Sequence, residues 1–158
     1  MQFSVNLLPE EHPTNTRKFF KDGQYDSITI HYTGEQFGQT PNVVREWLTR
    51  PEGEASYHLI IKDHLCLQIQ PLDKTVYHCG HPTGNRTSLA IAVVPNSDKG
   101  EFSEASIKTL REVLHLLKPV PLLRHSDWSQ KDCPKWYIDE ERWKQLQLAI
   151  IPWKCYCE

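Results

Sequence analysis

A histidine, a lysine and a cysteine fall within nine residues of the polar stretch "LLRHSDWSQKDCPKWY" (122–137): His125, Lys131 and Cys133. Three explanations fit those residue types at that spacing. The imidazole and the thiol could be metal ligands, the thiol could be a nucleophile with a histidine as its base, or the grouping could be incidental. A second histidine bears on the choice. In "SITIHY" (27–32) alternate residues share a face, so Ile28 and Ile30 point one way, Thr29 and His31 the other. His31 and His125 each stand near the C-terminal end of an expected strand, where open sheets place ligands. With Cys133 they form a trio of two imidazoles and a thiol. Three protein ligands and an open fourth position is the catalytic zinc pattern, whereas structural zinc sites are closed with four ligands. No second C-x-x-C accompanies the trio to close a structural site. The residues alone leave all three explanations open.

Those side chains need a scaffold. "SITIHY" (27–32), "ASYHLIIK" (55–62), "LCLQIQ" (65–70), "TVYHCG" (75–80), "SLAIAVV" (88–94) and "LLRH" (122–125) read as strands. The second and third form a hairpin through Asp63-His64, and "SLAIAVV" is apolar enough for a buried central strand. Residues 40–50 read as a helix with Thr40 as N-cap and Pro41 at the first position, with Val43, Val44, Trp47 and Leu48 on one face. Ser103 caps a second helix through Lys118, carrying Ile107, Leu110, Val113, Leu114 and Leu117 inward, and Pro119 and Pro121 stop it. A third helix spans 138–150, with Trp143, Leu146 and Ile150 inward. The pattern predicts one α/β domain: a mixed central sheet of about five or six strands flanked by helices. Residues 1–25 read as a lead-in segment, 26–150 as the domain and 151–158 as a tail.

Composition removes several classes of function. The 158 residues are 39% hydrophobic and 24% charged, as in ordinary soluble domains. A net charge of −2 and the absence of basic runs argue against a nucleic-acid partner. No apolar run approaches the roughly 18 residues that span a bilayer, and the first 20 residues hold no signal-peptide core. The expectation is a monomer synthesised in the cytoplasm, without a leader and without membrane insertion. Five cysteines is an odd number, and in that setting free thiols or metal ligation are the better readings. Cys66 and Cys79 read as small buried hydrophobes and the Cys155-x-Cys157 pair as a fraying tail, which leaves Cys133 as the chemically suggestive one.

Four motifs in register carry a resemblance. "ITIHYTG", "SYHLIIKD", "VYHCG…GNRTSLAIAVV" and "RHSDWSQKDCP" resemble, in order and spacing, the zinc-dependent N-acetylmuramoyl-L-alanine amidases. The likeness is to the type-2 amidase fold shared by phage amidase-type lysozymes, bacterial autolysins and peptidoglycan recognition proteins, and it covers about residues 26–150. It implies hydrolysis of the amide between N-acetylmuramic acid and the L-alanine of the stem peptide. It implies zinc ligation by His31, His125 and Cys133, with Lys131 and Tyr57 as the catalytic pair. His78 matches a histidine lining the substrate groove, and His81 and Asn85 on the following loop are further candidates for contact with peptide or glycan. His58, next to Tyr57, faces the opposite side and reads as packed. Trp128 and Trp136 flank the ligand loop as stacking surfaces or as packing against the last helix.

The chain also departs from the pattern. Many relatives have a glutamate where this chain has Ala92, which puts a carboxylate-base mechanism in doubt and shifts the burden to Tyr57. Ala90 replaces a usual glycine, and many relatives have Asp as the third ligand. The implied partner is peptidoglycan or a soluble muropeptide, and a phage or prophage endolysin is the first choice of setting. A cytosolic muropeptide-recycling enzyme and a secreted effector are the others. Two functions without catalysis compete: a recognition module that holds muropeptide in the same groove, and a regulator of another protein.

Overall fold

The computed structural model describes residues 1–13, 15–34, 37–50 and 55–151. In chain order the elements are β1 (Gln2–Val5), β2 (Asn15–Phe19), β3 (Ser27–Tyr32), α1 (Pro41–Leu48), β4 (Leu59–Lys62), β5 (Leu65–Gln68), β6 (Lys74–Val76), α2 (Pro82–Thr87), β7 (Ser88–Val93), α3 (Glu104–Leu116), β8 (Leu122–Arg124) and α4 (Glu140–Ile150). Short 3-10 turns cover His125–Asp127 and Lys135–Ile138. Of the expected tail, with Cys155 and Cys157, only Ile151 lies within the described residues.

Six strands form the central sheet in the order β1-β5-β4-β7-β3-β8. It is mixed as expected: β4 and β5 form the antiparallel hairpin, and every other pair is parallel. Asp63 turns that hairpin with φ 49°, a left-handed conformation that aspartate tolerates better than most residues. The first 25 residues, read as a lead-in, supply β1, an edge strand of this sheet, and β2. The expected strand 75–80 shortens to β6 and pairs with β2 in a separate two-stranded sheet. The segment 55–62 becomes regular strand only from Leu59, although the His58 amide already donates to the Ala90 carbonyl at 3.0 Å. No helix among the described residues is long and apolar enough to cross a membrane.

The two faces of the sheet bury different sets of side chains. Ile28, Ile30, Leu59, Ile61, Leu89, Ile91 and Val93 pack with Leu110 and Leu114 of α3 and Trp143 and Ile150 of α4. Both helices start on capping side chains: Ser103 accepts from the Ser106 amide at 3.1 Å and Asp139 from the Arg142 amide at 3.0 Å. On the other face, Ile60, Leu67, Ile69 and Val94 pack with Leu8 and with Val44 and Leu48 of α1. Here the structure corrects the reading of α1. Val43 and Trp47, expected inward, are 41% and 46% exposed. The buried stripe is Pro41, Val44 and Leu48, spaced i, i+3, i+7, which turns Val43 and Trp47 to the flank. Each isoleucine or leucine buried here stabilises the fold by roughly 1.5–3 kcal/mol relative to exposure. β7 is buried along its whole length, as its apolar run demands. The second face, with α1 and without α3 or α4, is the one that carries Thr29 and His31.

Candidate metal centre

β3 and β8 are adjacent and parallel, so their C-terminal ends lie side by side. His31 is the fifth residue of β3, and its side chain emerges on the face away from α3 and α4. His125 follows β8 directly, where the chain leaves the sheet in a 3-10 turn. Arg124 fixes that turn: its amide donates to Asp127 Oδ2 at 2.7 Å, and its guanidinium reaches Asp127, Glu140 and the Ile138 carbonyl. The loop then returns on itself, the Ser126 amide donating to the Cys133 carbonyl at 2.9 Å. That closure brings Cys133 beside His125.

The three candidate ligands converge. His31 Nδ1 lies 3.1 Å from His125 Nδ1 and 3.8 Å from Cys133 Sγ. One ligand atom from each of the three residues lies within 4.8 Å of the others, and all three residues are buried. Two imidazole nitrogens and a sulfur at that separation match the borderline-soft donor set that zinc prefers. The electrostatics favour uncharged imidazoles. Burial holds the His31 pKa well below its ordinary value, and the nearby His78, His125, His58 and Lys131 push it the same way. Burial and then Lys131 lower His125. The Cys79 backbone partly offsets this, although no hydrogen bond of good geometry reaches His125 Nε2. Burial raises the Cys133 thiol to about 12 in the face of opposing contributions from the Tyr32 backbone and Lys131. Unassisted, that thiol stays protonated at neutral pH, the opposite of what a cysteine nucleophile needs. A bound cation would supply the charge that draws the proton off.

The other expected residues divide. Tyr57 is half-buried with its ring centroid 5.1 Å from that of His31. Burial raises its phenol pKa, and the charge of Cys133 and Tyr32 adds to the rise, so it is a proton donor and not a base at neutral pH. Lys131 is exposed on the loop, and its charge is felt at His31, His125 and Cys133. His78, expected in the groove, is only 4% exposed, with its ring bonded to His31 and to the Gly84 carbonyl. Asn85 Oδ1 accepts from the His78 and Cys79 amides. His81 stacks on Trp128, centroids 5.6 Å apart, and Trp128 Nε1 donates to Thr29 Oγ1. Trp136 packs under Arg142 of α4, whose guanidinium sits 3.8 Å from the ring centroid. His31 pairs in register with Ala92 of β7, so the position where many relatives hold a glutamate is an alanine beside the first candidate ligand. The anchoring role of Arg124 escaped the sequence reading; its signal was the R-x-x-D spacing of a helix-turn cap.

His58 is packed, as its place in the sequence implied, and it gives a pH prediction. Its Nδ1 accepts from the Ala90 amide at 2.8 Å, so its Nε2 must donate to the Lys74 carbonyl at 2.7 Å. Protonation would abolish that acceptor inside the protein. Burial accordingly lowers its pKa from 6.5 to about 4. The unfolded chain therefore takes up this proton first as pH falls, and the folded state loses stability from pH 6.5 downward, by about 3 kcal/mol at pH 4. Denaturant melts of wild type and His58→Gln at pH 7 and pH 4 check this. The loss of stability between the two values should be smaller in the variant by roughly that amount, and equal losses would refute the assignment.

Residues 21–136 match the family described as N-acetylmuramoyl-L-alanine amidase. Over 121 residues the chain is 31% identical to the N-acetylmuramoyl-L-alanine amidase CwlH of Bacillus subtilis (strain 168), covering 71% of this chain and 48% of that protein. It is 31% identical over 132 residues to XlyA of the same organism, also an N-acetylmuramoyl-L-alanine amidase, covering 78% of this chain and 43% of XlyA. The chain thus spans about half the length of the curated relatives it matches. Among solved structures, the catalytic domain of XlyA superposes with a TM-score of 0.78 at 22% identity, over 95% of this chain and 99% of that one. The fold agrees over 95% of this chain, and the family match spans every residue of the converged trio. The chain belongs to the N-acetylmuramoyl-L-alanine amidase family.

Proposed function

We propose that this chain is a zinc-dependent amidase of endolysin type that cleaves the amide between the lactyl group of N-acetylmuramic acid and the L-alanine of the peptidoglycan stem. The observation that carries the reading is the convergence of His31, His125 and Cys133 at the ends of β3 and β8. Zinc held there by those side chains would polarise the scissile carbonyl and acidify water. The chain's own groups do the rest. Water adds to the carbonyl carbon, the C–N bond breaks, the lactyl side leaves as a carboxylate and the alanine as an amine. Lys131 supplies positive charge from the loop that carries Cys133, where the carbonyl oxygen gains negative charge. Tyr57, held protonated, donates a hydrogen bond to that oxygen or a proton to the departing amine. No carboxylate stands at position 92 beside His31 to act as a base, so the proton that the attacking water loses passes to the departing amine, directly or through Tyr57, which gives its own proton to the amine and takes the water's in return.

The test uses intact peptidoglycan and a soluble muropeptide, each with the chain alone, with a chelator, and with zinc restored. The expected result is new N-terminal alanine without new reducing sugar ends, lost on chelation and regained with zinc. Tight muropeptide binding without cleavage would replace the enzyme by a recognition module. Cleavage that survives chelation and dies on thiol alkylation would point to the cysteine nucleophile instead.

A further inference from the structure

The turn between β6 and β7 holds a hydrogen-bonded chain that ends at the metal centre. A carbonyl oxygen can only accept, so the 3.2 Å bond between His78 Nε2 and the Gly84 carbonyl places the His78 proton on Nε2. Neutral His78 then has a lone pair on Nδ1, and the 3.0 Å contact to His31 Nε2 must be donated by His31. With its proton on Nε2, His31 has its lone pair on Nδ1, the atom that faces His125 Nδ1 and Cys133 Sγ. One backbone carbonyl therefore dictates which nitrogen of His31 is free to ligate.

The turn is built to hold that carbonyl in place. Asn85 Oδ1 accepts from the amides of His78 and Cys79 at 2.9 and 3.0 Å, pinning the backbone that aims the His78 ring. A Cβ at Gly84 would overlap Cys79 Sγ and come within 2.8 Å of the Trp128 ring, so only glycine lets α2 approach this closely. Trp128 in turn is tied to Thr29 of β3, two residues before His31.

We propose that His78 and Asn85 are positioning residues of the metal centre, setting the tautomer and orientation of His31, and that His78, buried with both ring nitrogens bonded, is not a substrate contact. The proposal rests on the metal reading above. Outer-shell partners of ligating histidines typically contribute about 10–100-fold in metal affinity.

Zinc affinity measured on the full chain by competition with a fluorescent chelator tests it without reference to activity. His78→Ala and Asn85→Ala are expected to weaken zinc binding by about 10–100-fold. His78→Gln, whose amide offers both an acceptor and a donor, and Asn85→Asp, which keeps the acceptor, are expected to stay within a few-fold of wild type. Imidazole nitrogen NMR of the zinc-free chain should show His31 protonated on Nε2. A folded His78→Ala that binds zinc as tightly as wild type would overturn the proposal. If the alanine variants fail to fold, the NMR decides: a proton on His31 Nδ1 in wild type or in His78→Gln overturns the relay. A wild-type chain that takes up no zinc would instead remove the metal reading, and the tautomer would still show whether the relay exists.

Discussion

Cys133→Ala is expected to lose both zinc and hydrolysis. The thiol is the one donor in the trio that becomes an anion when a cation draws off its proton, and it is set 3.8 Å from His31 Nδ1 and buried. Without it, only two neutral imidazoles remain to hold a dication. The loss should well exceed the roughly 10–100-fold that outer-shell partners contribute, and cleavage of the muramoyl-alanine bond should fall to background. Cys133→Asp keeps an anionic oxygen ligand, as in many relatives, and is expected to retain part of both. The check is zinc content after dialysis against a weak chelator, measured beside alanine release from peptidoglycan. Thermal melts add an independent reading, because a ligand that binds only the folded state raises its melting temperature. Zinc should raise it in wild type and in Cys133→Asp but not in Cys133→Ala. Full activity in Cys133→Ala would sink both the ligand assignment and the metal mechanism.

The parts of this site that the sequence made legible are those governed by local periodicity. Alternation in "SITIHY" placed His31 on the polar face of β3, and the apolar runs of β7 and β8 placed the neighbouring strands that set its register. The expected helix caps at Thr40 and Ser103 each accept a backbone amide, and that too is a local signal. What stayed hidden depends on partners distant in sequence. "QFSV" is too short and mixed to announce a strand, and it becomes one by pairing in parallel with β5. "HPTGNRT", with its Pro, Gly and Asn, reads as a turn, yet it forms α2, with Gly84 packed against Cys79 and Trp128. That one contact converts His78 from an apparent groove histidine into a buried partner of His31. On α1, the choice between Val43 and Val44 as the inward residue turned on about 100° of helix rotation, which only the sheet beneath it decides. Zinc ligation itself was suggested by residue type and made specific by family resemblance. The convergence of the three atoms follows from the Ser126–Cys133 closure of the loop, a bond no spacing rule announces.

Lys131→Met should separate chemistry from metal binding. Lys131 is exposed, and the structure gives its backbone a place in the ligand loop through bonds from its amide to the Ser129 carbonyl and from the Cys133 amide to its own carbonyl. Neither bond uses the side chain, so a methionine of similar length leaves the loop able to close and Cys133 in place. What the substitution removes is a positive charge that is felt at all three candidate ligands. On the ground-state carbonyl that charge matters little; on the oxygen that gains negative charge during attack it matters much, and such donors are worth about 10²–10³ in rate. The expected outcome is a fall of that size in kcat with zinc content unchanged, and a cation near a dication should if anything weaken metal binding when present, so its loss carries no reason for the metal to leave. Lys131→Arg, which keeps the charge with a different hydrogen-bonding geometry, should recover part of the rate. Loss of activity that tracks loss of zinc would make Lys131 a support for the loop and nothing more. Unchanged kcat would leave Tyr57 as the sole donor, and Tyr57→Phe would then have to carry the whole defect. A defect confined to KM would place the lysine on the substrate in its ground state, which is a binding contact and not stabilisation of the transition state.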